Sequence, residues 1–512
     1  MTVKKINAQT PLEELPADVN TLRQMVLTLL SQIDDLSGQL HYLKRQLFGK
    51  KSEKLDPNQG LLFEELYEEL QGQIAAEAKA AEEEAAAPAQ PAKRRRNNHK
   101  GRCPLPPDLP RQSIEVDIPE AEKVCPVCHQ AKQRIGEEVT EKLEYEPASF
   151  YVKSYVRPKY ACPQCCGQVS IGSLPPMAID KGIPGEGLLA HVLCNKYCDH
   201  LPLYRQARIF QREKIDISVS TLCDWVGRSA DLLSPLVDRM HEKLLLSPKV
   251  NTDDTPVKVQ DPARVGSTST GYLWVYIDID YNVVFDFTRN RSREGPLLFL
   301  SGFHGYVQAD AYSGYDAFFR SSDAVEVGCH AHARRKFEYA LDSNPVQAAH
   351  MLALYSRLYE IESQAKAEKY SPEQLLAARQ SRSLPILGEM KELLDKWQGE
   401  LLPRSPMGKA VTYCQNQWQA LLRYTEDPIL EIDNNLSERT LRMVAIGRKN
   451  YLFFGSEAGG QRAAIIYSLV ASCKLHGLDP FAYFRDVLAR VSTHPASRID
   501  ELLPCQWDKS RS

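Results

Sequence analysis

Residues 250–259 read VNTDDTPVKV, a polar stretch around a pair of aspartates that passes into apolar and polar alternation at PVKV. An alternation of period two is the mark of a strand with one face buried. The same pattern continues in GYLWVYIDID (271–280) and NVVFDFTRN (282–290), so three consecutive strands of a sheet meander are expected. EGPLLFLSGF (294–303) reads as a helix. GYVQADAYSGY (305–315) reads as a further apolar strand ending in Asp310. AVEVGCHAHA (324–333) reads as another strand and RRKFEYALDS (334–343) as a helix.

Three strands, a helix, a strand and more alternation is the order of a ribonuclease-H-like sheet. In that architecture acids at the ends of the first and fourth strands meet at one edge, and a later helix brings a third. Two divalent cations roughly 3.5–4 Å apart can clamp the attacking and leaving oxygens of a phosphodiester. Hard cations such as Mg2+ call for carboxylate oxygens. The first acid is Asp253 or Asp254 and the second is Asp310. For the third, EIDNNLSERTLRMVAIGRKN (431–450) offers Glu431, Asp433 and Glu438. DNNLSERTLR reads as a turn and N-cap entering a helix that carries Glu438. Arg439 and Arg442 beside it, with Arg448 and Lys449 further along, are placed to hold a DNA strand. Cys329, His330 and His332 are read as a structural group flanking that groove in preference to a metal site.

Outward from this core, 512 residues are too many for one domain, and three or more are expected. The formal charge is only -3, which excludes a histone-like basic protein, and 43% hydrophobic content excludes wholesale disorder. Val19, Val26, Ile33, Leu40 and Leu47 fall at one heptad position, and Leu22, Leu29, Leu36 and Leu43 at the other. Four filled heptads predict a coiled coil, hence a homodimer or higher oligomer. An acidic stretch and a Pro/Ala-rich linker follow, then a basic arm, KRRRNNHKGR, in which Lys93, Arg94, Arg95 and Arg96 are suited to DNA phosphates.

Cys125-Pro-Val-Cys128 and Cys162-Pro-Gln-Cys165 supply four thiolates from two tight turns. That is a zinc-ribbon pattern, and four thiolates close the shell, so the Zn2+ is structural. Cys166, adjacent to Cys165, could take its place as a ligand, while Cys103, Cys194, Cys198 and Cys223 show no matching partner turns and read as core residues. LYRQARIFQRE, KIDIS and VSTLCDWVGRSADLL give helix, turn, helix, with Ser218 or Ser220 capping the second. MTVKKINAQTPLEEL lacks a signal-peptide core, and the apolar run at 463–473 is about half a bilayer span. A cytoplasmic, nucleoid-associated protein with no membrane partner is the expectation.

TDDTPVKV, VQADAYSGY, GCHAHARRKF and EIDNNLSERTLRMVAIGRKNYLFFGSEAGGQRAAIIYSL resemble the transposases of the insertion-sequence-66 family. The resemblance extends to LKRQLFGKKSEKL, the paired-cysteine knuckle and KYCDHLPLYRQARIF, and so covers most of the chain. It implies a DDE transposase that uses Mg2+ (or Mn2+) in a ribonuclease-H fold to cut element ends and join the 3′-hydroxyl to target DNA. Double-stranded DNA, as element end and as target, is then the partner, with small accessory proteins of the same element as companions. Carried over, the family's Asp-Glu-Thr-Pro motif matches Asp253-Asp254-Thr255-Pro256, which makes Asp253 the catalytic aspartate. The departure from glutamate at position 254 leaves the neighbour open as the ligand. Asp310 and Glu438 match the family's second and third acids.

The plan that results is a multidomain α/β protein. It comprises a coiled coil (16–60), a linker with the basic arm (61–120), a zinc-binding domain (121–180) and a helical, helix-turn-helix-like DNA-binding region (181–245). The catalytic core (246–345 and 426–465) is split by a helical insertion (346–425), and a helical region (466–512) ends the chain. Two rivals compete: a zinc-containing transcription factor that has lost catalysis, and a stand-alone nuclease on the same sheet. The intact acid set argues against the first; zipper, knuckle and basic arm argue against the second.

Overall fold

The computed structural model describes residues 182–261 and 266–508, residues 176–179, and a few short stretches further upstream. The heptads, the basic arm (Lys93 to Arg96) and the four knuckle cysteines lie outside the described residues. Residues 83–174 form one compact unit and the rest of the chain another. In the smaller unit, β1 (Lys159–Tyr160) and β2 (Ser170–Ile171) pair antiparallel, with Lys159 opposite Ile171.

The larger unit opens with three helices, α1 (Glu186–Tyr197), α2 (Leu203–Arg212) and α3 (Val219–Leu245). Ser218 is the cap of α3, its hydroxyl accepting from the Thr221 amide at 3.1 Å, which settles the choice between the two serines. Pro235 lies inside α3 and removes one backbone donor. The Ser234 hydroxyl, donating to the Asp231 carbonyl at 3.0 Å, satisfies the acceptor that proline leaves behind.

The meander follows as expected: β3 (Lys249–Gln260), β4 (Thr268–Asp278) and β5 (Val283–Thr288). Then come α4 (Glu294–Phe299), β6 (Tyr306–Gln308), α5 (Asp316–Ser321), β7 (Val325–Val327) and α6 (His330–Ala340). The sheet order is β5-β4-β3-β6-β7. β3, β4 and β5 are antiparallel to one another, whereas β6 and β7 run parallel to β3.

Two boundaries differ from the sequence reading. β6 ends at Gln308, two residues short of Asp310. The stretch CHAHA is not strand: β7 stops at Val327 and a helix starts at His330. Its buried residues His330, Ala333, Phe337 and Ala340 recur at helical spacing, a period that two histidines separated by alanine disguise as alternation.

Between α6 and the return to the sheet lie α7 (Pro345–Ala367), α8 (Pro372–Ala378), α9 (Leu384–Gln398), α10 (Pro406–Asn416) and α11 (Trp418–Leu422). Phe337, Tyr355, Met390, Trp397 and Trp418 belong to a second apolar core that these helices share with β7 and α6. A π-helical turn at Arg379–Ser383 buries Arg379, which pairs with Glu362 through two 2.8 Å contacts. The same guanidinium donates to the Tyr424 and Asp427 carbonyls at 2.8 and 3.2 Å, fastening the loop that leads back to the sheet.

The chain closes with α12 (Asn435–Tyr451), α13 (Glu457–Leu475) and α14 (Pro480–Arg490). α13 contains the apolar run at 463–473 and runs unbroken across residue 465, where a domain boundary was expected. It covers the outer edge of β5. Ser468 and Ser472 hydroxyls accept from the Phe285 and Val283 amides at 2.8 and 2.9 Å. An open edge is thereby closed by side chains instead of another strand. Among the described residues no helix is long and apolar enough to cross a membrane.

Candidate active site

β3 and β6 pair over three residues, the last being Asn251 opposite Gln308. Asp253 and Asp310 each follow two residues later, on the side-chain parity of that last pair. Neighbouring strands lie about 4.8 Å apart, so the register sets the two aspartates beside each other just where the strands part. Asn251 Nδ2 donates to Gln308 Oε1 at 3.2 Å and to Asn434 Oδ1 at 3.0 Å. Asn434, fully buried, in turn donates from Nδ2 to the Thr252 carbonyl at 2.8 Å and accepts from Ser437 at 3.0 Å. This amide clasp docks the start of α12 on the Asp253 face of β3. Glu438 stands one helical turn further on.

The same alternation separates the two neighbouring aspartates. Asp253 shares its face with Asn251 and with Thr255, whose hydroxyl accepts from Arg448 of α12 at 2.8 Å. Asp254 has the opposite parity, with Thr252, whose hydroxyl bonds Tyr315 at 3.0 Å. Arg291 holds Asp254 through Nη2 at 2.7 Å and Nε at 2.9 Å. Its Nη2 also lies 3.9 Å from Asp310, and its guanidinium covers the Tyr312 ring at 4.0 Å. The Tyr312 hydroxyl donates to the Arg291 carbonyl, and the Tyr312 amide donates to Asp310 Oδ1 at 3.1 Å.

Burial, with the negative charge of Asp310 next in weight, pushes the Asp253 carboxyl up to about 8; Asp254 and Glu438 add to the effect. The Asp253 carboxyl accepts from the Asp254 amide at 2.8 Å, which partly offsets this. Glu438 is met from α6 by two bases: His332 Nε2 at 3.3 Å, and Arg335 Nη2 at 3.2 and 3.3 Å from the two oxygens. An open cleft of ≈ 260 Å³ is lined by Asp253, Asp254, Thr255, Glu438, Leu441, Arg442 and Ala445. The donors are hard oxygens at a site with surplus negative charge, which fits a hard divalent cation. Among the described residues, however, no three acid, histidine or cysteine side chains already close on one point as a ligand shell.

Comparison with known proteins shows the family of the chain. The family model described as "Transposase IS66 family" matches residues 181–462, more than half of the chain. The chain belongs to the IS66 transposase family. The "IS66 C-terminal element" matches residues 468–505, and the "zinc-finger binding domain of transposase IS66" matches 122–166, a span that holds all four knuckle cysteines. "Transposase C of IS166 homeodomain" matches 35–114. Three full-length relatives come from Sinorhizobium fredii (strain NBRC 101917 / NGR234). The uncharacterized protein y4hP is 33% identical over 93% of this chain and 89% of its own length. The uncharacterized protein y4jD is 33% identical over 97% of each. The uncharacterized protein y4qI is 30% identical over 96% of this chain and 98% of its own.

Membership in the IS66 transposase family implies DNA transposition of the DDE type, a divalent metal, zinc and a DNA partner. Within that frame several sequence alternatives separate. Asp433 is occupied as a turn residue, accepting from the Asn435 amide at 3.1 Å and from Tyr359 at 3.0 Å. Glu431 is half-exposed and pairs with Lys249 at 3.5 Å. Neither lines the cleft that Glu438 enters. Cys329 is buried and its thiol accepts from the Asn434 amide at 3.2 Å. His330 is buried too, bonded to the Leu421 carbonyl at 2.9 Å and pushed down to about 4 by burial, so it is neutral core. His332 alone of that group reaches an acid of the cleft. Arg439, Arg442 and Lys449 are exposed, whereas Arg448 is turned inward to Thr255.

Sequence reading missed Asn251, Gln308, Arg291, Tyr312, Arg335 and Asn434. A signal existed for some of them: buried-strand positions filled by Asn and Gln demand partners. Nothing in the sequence said which partners.

The raised Asp253 pKa has a measurable consequence. Between roughly pH 4 and 8 the folded protein holds a proton there that the unfolded chain releases, so the metal-free fold loses stability as pH rises through that window. A cation held by Asp253 would have to displace the same proton. Mn2+ affinity, measured by titration calorimetry, should therefore rise up to about tenfold per pH unit below 8 and level off above it. Asp253→Asn should flatten that slope. A pH-independent wild-type affinity would remove Asp253 from the metal site.

Proposed function

We propose that this protein binds the ends of its insertion element and catalyses metal-dependent strand cleavage and transfer on a ribonuclease-H-like sheet, with Asp253, Asp310 and Glu438 as the catalytic acids. The observation that carries the reading is the shared register of Asp253 and Asp310, with Glu438 set over them by the Asn434 clasp. The sheet order, antiparallel on one side of β3 and parallel on the other, supports the fold assignment.

Asp253, Asp310 and Glu438 are the residues that would hold the divalent ions, Mg2+ or Mn2+. When bound, such ions supply Lewis acidity at the attacking and leaving oxygens of a phosphodiester. The chain's own groups do the rest. His332 and Arg335 fix the rotamer of Glu438. Arg291, anchored on Asp254 and stacked on Tyr312, fixes the loop that carries Asp310. Arg442 in the cleft wall and Arg439 beside it meet strand phosphates, as do Lys449 and the basic arm at Lys93, Arg94, Arg95 and Arg96. Arg448, held against Thr255, keeps α12 in place while adding positive charge to that face.

In the same reading the heptads at 16–60 bring two copies together, and the segment 61–120 links them to the zinc domain at 121–180. The helices at 181–245 contact the element end. The catalytic core spans 246–345 and 426–465, with its insertion at 346–425 and a closing region at 466–512. Strand cleavage and joining on a pre-cut element end with Mg2+ or Mn2+ tests the proposal. Absence of both with either ion would overturn it.

The knuckle carries its own prediction. Cys125, Cys128, Cys162 and Cys165 should bind one Zn2+ per chain, on the order of 10–16 kcal/mol coupled to local folding. Cys162→Ser should release the zinc seen by elemental analysis and weaken DNA-end binding, while the far-ultraviolet signature of the catalytic sheet stays intact. Metal-free protein from a zinc-replete preparation would refute the site.

A further inference from the structure

Along α12 the positions exposed to solvent are Arg439, Arg442, Ile446 and Lys449, and Phe453 continues the row just beyond the helix. Steps of three and four residues put them on one stripe. The stripe starts at the cleft, which Arg442 lines together with Asp253 and Glu438. It ends on apolar surface: Leu452 is 64% exposed and Phe453 43%.

That end is built rigidly. Leu452 closes the helix with φ +66, its amide bonded to the Arg448 carbonyl at 3.0 Å. With ψ −46 and the Phe453 amide donating to the Tyr451 carbonyl at 2.8 Å, Leu452 sits at the centre of a γ-turn, a positive-φ conformation that suits glycine and strains a leucine. The next residues are fastened from below. Phe454 is buried, its ring stacked on Tyr451 at 5.3 Å, and its amide donates to the Lys258 carbonyl at 2.8 Å. The Gln260 amide donates to the Phe454 carbonyl at 2.8 Å, so the loop continues the sheet beside β3. Leu452 and Phe453 are therefore held outward by a braced backbone. A chain that needed only a helix stop would place glycine at 452 and a polar residue at 453.

We propose that Leu452 and Phe453 form an apolar wedge that receives an unstacked DNA base close to the bond held at the acid cleft. The inference rests on the transposase reading above and names what that site selects: DNA ends that are frayed or readily opened. Charge complementarity favours this occupant over a second copy of the chain, because the wedge terminates a stripe bearing Arg439, Arg442 and Lys449. From Arg442 to Leu452 is ten residues, about 15 Å of helix, or about four base steps of a duplex strand. The cations of the stripe hold the phosphates, and the aromatic and aliphatic faces take the base, as in sequence-tolerant single-strand binding.

The test uses the full chain and two fluorescent probes: a blunt duplex, and the same duplex with an unpaired fork at one end. Both are measured at one ionic strength. Wild-type protein should prefer the fork by roughly tenfold, a stacking contact's worth. Phe453→Ala should lose the preference and leave blunt-duplex binding unchanged, and Phe453→Trp should keep it. Leu452→Gly removes the side chain while relieving the backbone, so it stays folded and should also lose the preference. Arg442→Ala should weaken both probes alike. Retention of the fork preference by Phe453→Ala and Leu452→Gly would overturn the wedge while the transposase reading stands. A change of oligomeric state in those variants, with the fork preference intact, would give the surface to a second copy and overturn it too. Failure of the wild-type chain to bind either probe would bring down the parent reading along with the wedge.

Discussion

Asp253→Asn is expected to abolish strand cleavage and joining, by about 10⁴-fold or more, while DNA binding survives. The amide keeps the volume of the carboxylate but loses its charge, and a neutral oxygen is a poor ligand for a hard cation. Acids that act as one unit fail together, so Asp310→Asn and Glu438→Gln should each do comparable damage and the double variants little more. Asp253 is also the acid most burdened by its neighbours, its carboxyl pushed up to about 8 by burial and by Asp310. Removing the charge should therefore stabilise the metal-free fold above neutral pH even as it destroys catalysis. That pairing of higher stability with lost activity separates a ligand from a packing residue. Asp254→Asn is the comparison: an amide oxygen still accepts from Arg291, so the clamp on the Asp310 loop weakens and activity falls about tenfold or less. Strand-transfer assays on a pre-cut end decide between them. A dead Asp254→Asn beside an active Asp253→Asn would reverse the assignment.

The meander was legible because β3, β4 and β5 are joined by short connections, each runs six residues or more, and β4 and β5 are rich in the β-branched and aromatic residues that strands favour. β6 and β7 have three residues each, too few for a period to declare itself, and their edges came out wrong. Glu438 was legible because the turn DNN before an amphipathic helix announces an N-terminus. The function of that turn was not. The bond from Asn251 to Asn434 spans 183 residues and that from Arg291 to Asp254 spans 37, and neither residue type names its partner. Both aspartates line the cleft, and the proposed choice of Asp253 over Asp254 rests on parity measured against a known contact, here Asn251 to α12. Periodicity tells that two neighbours face opposite ways; only the packing tells which way is in. The oligomer and the basic arm still rest on the pattern of their own residues, whereas the zinc knuckle also has the family match over 122–166.

Asn434→Ala should then be the most damaging change outside the acids. The side chain is fully buried and serves three partners: it accepts from Asn251 and Ser437 and donates to the Thr252 carbonyl. Truncation strands all three in a dry site, where each unmade hydrogen bond costs about 1–3 kcal/mol. The sum should be about 3–5 kcal/mol once the neighbours relax, visible as a lower urea midpoint with the slope unchanged. Activity should drop further than stability alone explains. Glu438 takes its position from the first turn of α12, and that turn is located on β3 by this one amide; Arg448 restrains only the far end. Asn434→Asp is the sharper probe, because it keeps the acceptor, deletes the donor to Thr252 and buries a charge close to Asp253. It should be at least as destabilising as alanine at pH 8 and less so at pH 5, where the new carboxyl can take a proton. If Asn434→Ala costs under about 1 kcal/mol, the helix is held by apolar packing through Leu441 and Val444, and the amide clasp is not what sets the third acid.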